Sequence, residues 1–160
     1  MIEGFSNINE AQFELTKDAI GWITALIAGA DGNIDREETA WAEKLTKIRS
    51  YANPNRLTPF YKEVGIDFHD KLEALLSGLP IGKKEREEVL TAKLAQLNDV
   101  LPLLGPTTAY ELYRSYLSFA KHVAKQTGGF LGFFSIDKEE ESLIHLGMIT
   151  PIEIEEEEEE

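Results

Sequence analysis

Several things are missing from this chain of 160 residues, and each absence narrows what it can do. It has no cysteine, which excludes disulfides, thiolate metal ligands and cysteine nucleophiles. The N-terminus has no basic segment followed by an apolar run, so a secretory signal is not expected. The longest apolar stretch, residues 20–30, is about half the length of a membrane-spanning helix. We therefore expect a cytoplasmic protein without an integral membrane segment.

Basic residues are also scarce. Lysine and arginine number 16 against 29 acidic residues, which gives a formal net charge of −13. Glu153 and residues 155–160 supply seven of these acids, so the rest of the chain carries 22 acids against 16 bases, or −6. This balance argues against a nucleic-acid surface, which needs clustered Lys and Arg, and is compatible with binding cations or a basic partner. We divide the chain into a domain, residues 1–150, and a solvated acidic tail, residues 151–160.

No stretch alternates convincingly between apolar and polar residues, and glycine and proline fall at the boundaries of helical patterns. In the first pattern, Phe13, Ile20, Ile23 and Ile27 repeat at spacings of three, four and seven. The sequence therefore predicts an all-α fold, a single compact bundle of six or seven helices. The predicted helices cover about residues 9–30, 35–51, 58–64, 67–76, 83–100, 107–126 and 138–146.

A short acidic motif occurs twice. Ile34-Asp35-Arg36-Glu37-Glu38 matches Ile136-Asp137-Lys138-Glu139-Glu140 in residue type at every position, and a long apolar helix precedes each copy. The second copy carries an insertion, Gly129-Phe130-Leu131-Gly132-Phe133-Phe134, and has Thr127 opposite Asp31. We expect a duplicated helix-turn-helix unit arranged about a pseudo-two-fold axis.

With these motifs the chain resembles the TerB-like domains, a family named for bacterial tellurite-resistance proteins. The resemblance rests on Ala30-Asp31-Gly32 followed by Ile34 and Glu38, and on Gly128-Gly129 followed by Ile136 and Glu140. It implies an all-helical, non-enzymatic domain that is associated with tellurite resistance or stress response and binds a metal through acidic residues. The family's acidic positions correspond here to Asp31, Glu38 and Glu140.

The two acidic turns allow two interpretations. Asp35 with Glu38, and Asp137 with Glu140, have the spacing of capping boxes, and a cap contributes about 1 kcal/mol. Asp31 lies instead at the carboxyl end of a helix, where the dipole disfavours an anion and a bound cation would offset that cost. Carboxylates favour Ca²⁺, Mg²⁺ or Mn²⁺ over Zn²⁺. The residues predicted to bind a divalent cation are Asp31, Asp35, Glu38 and Glu140.

The predicted function is therefore a non-enzymatic TerB-like domain that binds a divalent cation through its two acidic turns. The turn is not a self-contained EF-hand, because Ile27 and Gly29 fall where the first two oxygen ligands belong. No catalytic motif is recognisable, and a metallohydrolase would also need a general base that the spacing does not identify. His69, His122 and His145 fall on polar helix faces and are interpreted as surface histidines.

The alternative is a protein–protein interaction module whose acidic residues serve only as helix caps. Its partner would bind the acidic surface or the apolar residues Phe130, Leu131, Phe133 and Phe134. Such an apolar cluster more often closes the end of a helical bundle. The sequence leaves the oligomeric state open.

Overall fold

A computed structural model describes residues 2–127 and 138–154, with side chains described for residues 2–125 and 141–154. These residues form six α-helices and no β-strand, which confirms the predicted all-α fold. The helices are α1 (Glu10–Ala28), α2 (Arg36–Arg49), α3 (Thr58–Gly78), α4 (Lys83–Ala95), α5 (Pro106–Thr127) and α6 (Lys138–Leu143). No helix in the described part of the chain has the length and apolarity needed to cross a bilayer.

Helix α1 lies at the centre of the bundle and packs against α2, α3, α4 and α5. Ile20, Ile23 and Ile27 are completely buried, so the periodic stripe in the sequence is the face that meets the core. The helix begins with a reciprocal capping box. Asn9 Oδ1 accepts a hydrogen bond from the Gln12 amide at 2.8 Å, and Gln12 Oε1 accepts one from the Asn9 amide at 2.9 Å.

Two predicted helix boundaries in the middle of the chain are wrong. The break predicted at Gly65 is absent, because α3 continues through it and kinks at Asp67, whose φ of −133° and ψ of 16° are not helical. Phe60 and Phe68 are buried on either side of the kink, so core packing keeps the two halves in one element. The helix predicted over residues 83–100 ends as α4 at Ala95, and 3₁₀ turns follow over Gln96–Asp99 and Leu101–Leu103.

The segment after α6 is fixed to the bundle although it contains little regular structure. The helix was predicted to reach Leu146, but it ends at Leu143, and Leu146 has a φ of +47°. Leu146 and Ile149 are buried in the core. Asn98 binds this segment from both sides of its amide: Nδ2 donates to Met148 O at 2.8 Å, and Oδ1 accepts from the Thr150 amide at 2.7 Å.

Several sequence predictions fall outside the described residues. These include the apolar insertion over residues 129–134, Asp137 with its turn, and the glutamates at 155–160. The pseudo-two-fold arrangement of two acidic turns therefore stays a prediction.

Candidate functional site

The first acidic turn joins α1 to α2, and two of its carboxylates bind backbone amides. Asp35 is the N-cap of α2, and its Oδ1 accepts hydrogen bonds from the amides of Glu37 at 2.9 Å and Glu38 at 3.1 Å. The exposed Asp31 accepts a bond from the Asn33 amide at 3.1 Å through its own Oδ1. The amide of Asp35 donates to Ala28 O at 2.8 Å, which ties the start of α2 to the end of α1. These contacts are what a helix cap and a tight turn require.

A buried arginine supplies the positive charge at the carboxyl end of α1. The residue is Arg86 of α4, which is 4% exposed. Its Nη2 donates to Gly29 O at 3.0 Å and to Gly32 O at 3.1 Å, and its Nη1 donates to Ile81 O at 3.1 Å. A cation in this place is favoured by the helix dipole and satisfies carbonyls that the helix leaves free. The sequence analysis inferred a bound metal ion because the dipole at the end of α1 disfavours the negative charge of Asp31. Arg86 supplies a positive charge at that helix end, so a metal ion is not needed to explain it.

The predicted cation site is only partly described. Glu38 is 1% exposed and Asp35 is half-buried, whereas Asp31 is exposed. The side chain of Glu140 lies outside the described residues, so its predicted approach to the first turn stays a prediction. Within the described residues, no three His, Asp or Glu side chains form a group that could hold a metal ion.

A cleft on another side of the bundle holds a concentration of positive charge. It has a volume of about 740 Å³ and lies between the end of α2, the loop before α3, and one face of α5. We call it the arginine cleft, and define it by Arg49, Arg56, Arg114, Ser115, Ser118 and His122. Glu111 also lines it and forms an ion pair with Arg56 at 3.7 Å. The cleft is therefore lined by three arginines and one carboxylate, whereas the whole chain has more acidic than basic residues.

Arg49 is held in the wall of the cleft by neutral groups. Its Nη1 donates to Tyr61 Oη at 2.8 Å and to Ser115 Oγ at 3.1 Å, and its Nη2 donates to Ser118 Oγ at 3.0 Å. The guanidinium carbon also lies 5.2 Å from the centre of the Tyr61 ring and 5.3 Å from that of Phe119. In the described part of the chain no carboxylate forms an ion pair with Arg49. Its position is therefore fixed while its charge stays available to a ligand.

His122 completes this network at the next turn of α5. Its Nδ1 lies 3.2 Å from Arg49 Nη2 and 3.3 Å from Ser118 Oγ, and since Arg49 can only donate, Nδ1 accepts and the neutral ring carries its proton on Nε2. Partial burial lowers the pKa of His122, and the charges of Arg49, Lys125 and Lys121 lower it further. A histidine so placed is a weak base, which suits a binding site better than general-base catalysis with Ser118.

The sequence analysis did not identify this cleft, although part of its pattern was visible. His122 was predicted to lie on a polar helix face, and the structure places Ser115 and Ser118 on that same face of α5. Arg49 follows the buried Leu45 by four residues, so it lies at the edge of the apolar stripe of α2. Its contacts with Tyr61 and Ser115 join positions that are 12 and 66 residues away, which helical spacing alone does not predict.

Comparisons with family models, curated proteins and solved structures found no match to this chain. The resemblance to TerB-like domains therefore stays a prediction that rests on the motifs quoted above.

Proposed function

We propose that this chain is a non-catalytic binding module that holds an anionic group of its ligand, a carboxylate or a phosphate, in the arginine cleft. The observation that carries the proposal is the presence of three arginines and one carboxylate in a single cleft of a chain whose net charge is −13. Arg49 contributes a charge that is fixed in place and packed against the rings of Tyr61 and Phe119. Arg56 and Arg114 are exposed at the cleft, where they can move to meet the ligand.

The chemistry of the cleft favours anions over other ligands. Guanidinium groups pair with carboxylate and phosphate oxygens through two parallel N–H donors. The hydroxyl groups of Ser115 and Ser118 accept hydrogen bonds from Arg49 and so hold its guanidinium group in the wall of the cleft. The preorganised Arg49 side chain has little rotamer freedom left to lose on binding, which reduces the entropic cost of association.

The proposal is tested by titrating the ¹⁵N-labelled protein with two probes, inorganic sulfate and an acetylated hexaglutamate peptide. The sulfate represents a tetrahedral anion such as phosphate, and the peptide represents carboxylates, so the two arms distinguish the sources of charge. We expect shifts of the amides of Ser115, Ser118 and His122. Arg56→Gln together with Arg114→Gln should weaken binding about tenfold, which corresponds to about 1.4 kcal/mol.

The matched control is Arg36→Gln together with Lys44→Gln, which removes two exposed positive charges outside the cleft. Loss of affinity equal to that of the cleft variants would reduce the effect to net charge and overturn the proposal, as would the absence of shifts on α5. A second readout is the His122 imidazole. A bound anion offsets the charge of Arg49, so the pKa of His122 should rise towards its ordinary value. By linkage, sulfate should bind more tightly as the pH falls through the pKa of His122.

A second proposal is that Asp31, Asp35, Glu38 and Glu140 bind a divalent cation. This proposal includes the role in tellurite resistance or stress response that the TerB-like resemblance implies. It rests on the repeated acidic motif. Calorimetry with Ca²⁺, Mn²⁺ and Zn²⁺ tests it, since the Asp31→Ala, Glu140→Ala double variant should lose the heat of binding. Equal heats from both proteins would leave the acids as helix caps. The contacts of Asp31 and Asp35 favour that outcome.

A further inference from the structure

The arginine cleft has the size and part of the lining of a site for a small organic molecule. Its volume of about 740 Å³ falls in the range of about 300–1,000 Å³ that is typical of such sites. Leu45 and Leu57 line it and are buried. Ile48, Ala52 and Tyr110 also line it and are half-buried. The cleft therefore offers apolar surface to a ligand as well as positive charge.

The apolar surface of two of these residues is not used by the core. Neither Ile48 nor Tyr110 is among the described apolar residues that form the core or pack against it. An apolar group of a ligand placed against them would remove their surface from water, which stabilises a complex. The lining thus favours a ligand that has an apolar body beside its anionic group.

The three arginines of the cleft differ in the partners that they already have. Arg49 donates hydrogen bonds to neutral groups, and Arg56 forms an ion pair with Glu111 at 3.7 Å. Within the residues that the structure describes, the exposed Arg114 has neither a hydrogen bond nor an ion pair. Arg114 is therefore the guanidinium that is available to pair with one anionic group.

The charged and apolar parts of the lining follow one another along α5. Tyr110, Arg114 and Ser118 are spaced four residues apart, so they lie on one face of the helix, and about 12 Å of rise separates the first from the last. Ser118 accepts a hydrogen bond from Arg49 at 3.0 Å, which places the charge of Arg49 at the Ser118 end. Glu111 adds a negative charge next to Tyr110. One end of the cleft is therefore cationic, and the other is apolar and disfavours a second anion.

We infer that the ligand of the arginine cleft is a small monocarboxylic acid with an extended apolar body. The inference rests on the proposed function, because it names the class of anion that the same cleft holds. The carboxylate pairs with Arg114, whose guanidinium matches its two oxygens, and lies near the charge of Arg49. The apolar body extends along Tyr110 and Ile48. A second carboxylate at the far end of the ligand would meet the negative charge of Glu111.

The experiment titrates the ¹⁵N-labelled protein with four probes: acetate, octanoate, octanedioate and octanamide. Octanoate should bind at least about tenfold more tightly than acetate, because each methylene that becomes buried contributes about fourfold. It should also bind at least about tenfold more tightly than octanedioate, which places a second charge at the apolar end, and than octanamide, which has no charge. Octanoate should shift the amides of Ile48, Ala52 and Tyr110, whereas acetate should shift only those of Ser115 and Ser118.

Two matched pairs of variants test the two ends of the cleft separately. Ile48→Gln should weaken octanoate binding at least about fivefold and leave acetate binding unchanged. Its control is Ile66→Gln, which changes an exposed isoleucine of α3 outside the cleft and should affect neither acid. Arg114→Gln should weaken the binding of both acids, whereas Arg36→Gln, which lies outside the cleft, should weaken neither. Ile48→Ala should act in the same direction as Ile48→Gln and replaces it if glutamine impairs folding.

The outcomes distinguish this inference from the proposed function. If octanoate binds no more tightly than acetate or octanedioate, the inference is overturned. The proposed function then still stands where sulfate or the hexaglutamate peptide binds and Arg56→Gln with Arg114→Gln weakens that binding. If octanoate and octanamide bind equally and Arg114→Gln changes neither, the cleft recognises apolar groups alone, and both the inference and the proposed function are overturned.

Discussion

At the scale of single residues, the contact between Arg86 and Gly29 decides how the first helix ends. A Cβ atom added at Gly29 would lie 2.9 Å from Arg86 Nε and 2.9 Å from Nη2, so glycine is needed there to admit the guanidinium. The position does not require positive φ, since Gly29 has a φ of −99°. Its role is to leave space for a side chain from α4, which then binds the carbonyls of the turn.

We predict that Gly29→Ala and Arg86→Met are strongly non-additive. Arg86→Met should lower the free energy of unfolding by about 2–3 kcal/mol, because three carbonyls lose a charged donor. Gly29→Ala should cost about 1–3 kcal/mol through overpacking. Most of the Gly29→Ala penalty should disappear when Met replaces Arg86, and urea unfolding of the four proteins measures this coupling.

The control for this cycle is Gly21→Ala in the same helix. No atom lies within 4 Å of a Cβ built at Gly21, so this change should stabilise the protein by about 0.5–1 kcal/mol through helix propensity. Additive effects of Gly29→Ala and Arg86→Met would show that the two residues do not share one space.

At the scale of elements, the segment after α6 is held by one residue of a 3₁₀ turn. Asn98 in Gln96–Asp99 supplies both a donor and an acceptor to residues that lie 50 and 52 positions further along the chain. Burial of Leu146 and Ile149 adds apolar contacts. The segment is therefore attached at a small number of points, unlike the helices of the bundle.

We predict that Asn98→Ala loosens this segment without loosening the helices. The loss of two hydrogen bonds should reduce the protection of the Thr150 amide from hydrogen exchange by about tenfold, or about 1.4 kcal/mol. Amides at the centre of α1 should keep their wild-type rates. Asn98→Asp keeps the acceptor for Thr150 and loses the donor to Met148, so its effect should be smaller. A uniform increase of exchange across α1 and the segment would contradict the prediction.

At the scale of the whole molecule, residues before the first helix are part of the core. Phe5 is completely buried, its ring stacks on Phe60 at a centroid distance of 5.5 Å, and it meets the edge of Phe13 at 5.4 Å. Gly4, with a φ of +89°, brings the backbone against Thr108 of α5. The N-terminal segment thus joins α1, α3 and α5.

We predict that Phe5→Ala lowers the free energy of unfolding by about 3–5 kcal/mol, as expected for removing a buried aromatic ring. Because a domain of this kind has about 5–15 kcal/mol in total, the change should be visible as a large fall in the midpoint of thermal unfolding. Phe5→Leu, which keeps most of the apolar volume, should cost much less. A loss below about 1 kcal/mol for Phe5→Ala would mean that the segment is not part of the cooperative core.

The sequence was sufficient for the fold class because helical periodicity is a local property. The stripe on α1 and the cap at Asp35 depend on spacings of three to seven residues and were predicted correctly. The kink of α3 was predicted at the wrong place and as a break, because buried contacts on both sides outweighed the helix-breaking tendency of Gly65. The local sequence pattern shows the glycine but not the tertiary contacts that keep the helix continuous.

Arg86 and Arg49 show the same limit. Arg86 precedes the buried Leu90 and Leu94 at spacings of four and eight, so its place on the apolar face was visible, but its acceptors Gly29 and Gly32 belong to another helix end. The side chains that Arg49 contacts, Tyr61 and Ser115, belong to α3 and α5. In both cases the residue type and helix face are local information, while the partner depends on how helices pack.

One contact of α2 also has a spectroscopic consequence. The indole N–H of Trp41 donates to the carbonyl oxygen of His122 at 3.1 Å, and the chain has only two tryptophans. The second, Trp22, lies beneath Lys93, whose ammonium is 5.6 Å from its ring. Trp41 is therefore a natural fluorophore that is hydrogen-bonded to the backbone of His122, a residue of the arginine cleft. We expect its emission to report ligand binding in that cleft in the unlabelled protein, and Trp22→Phe would isolate the signal.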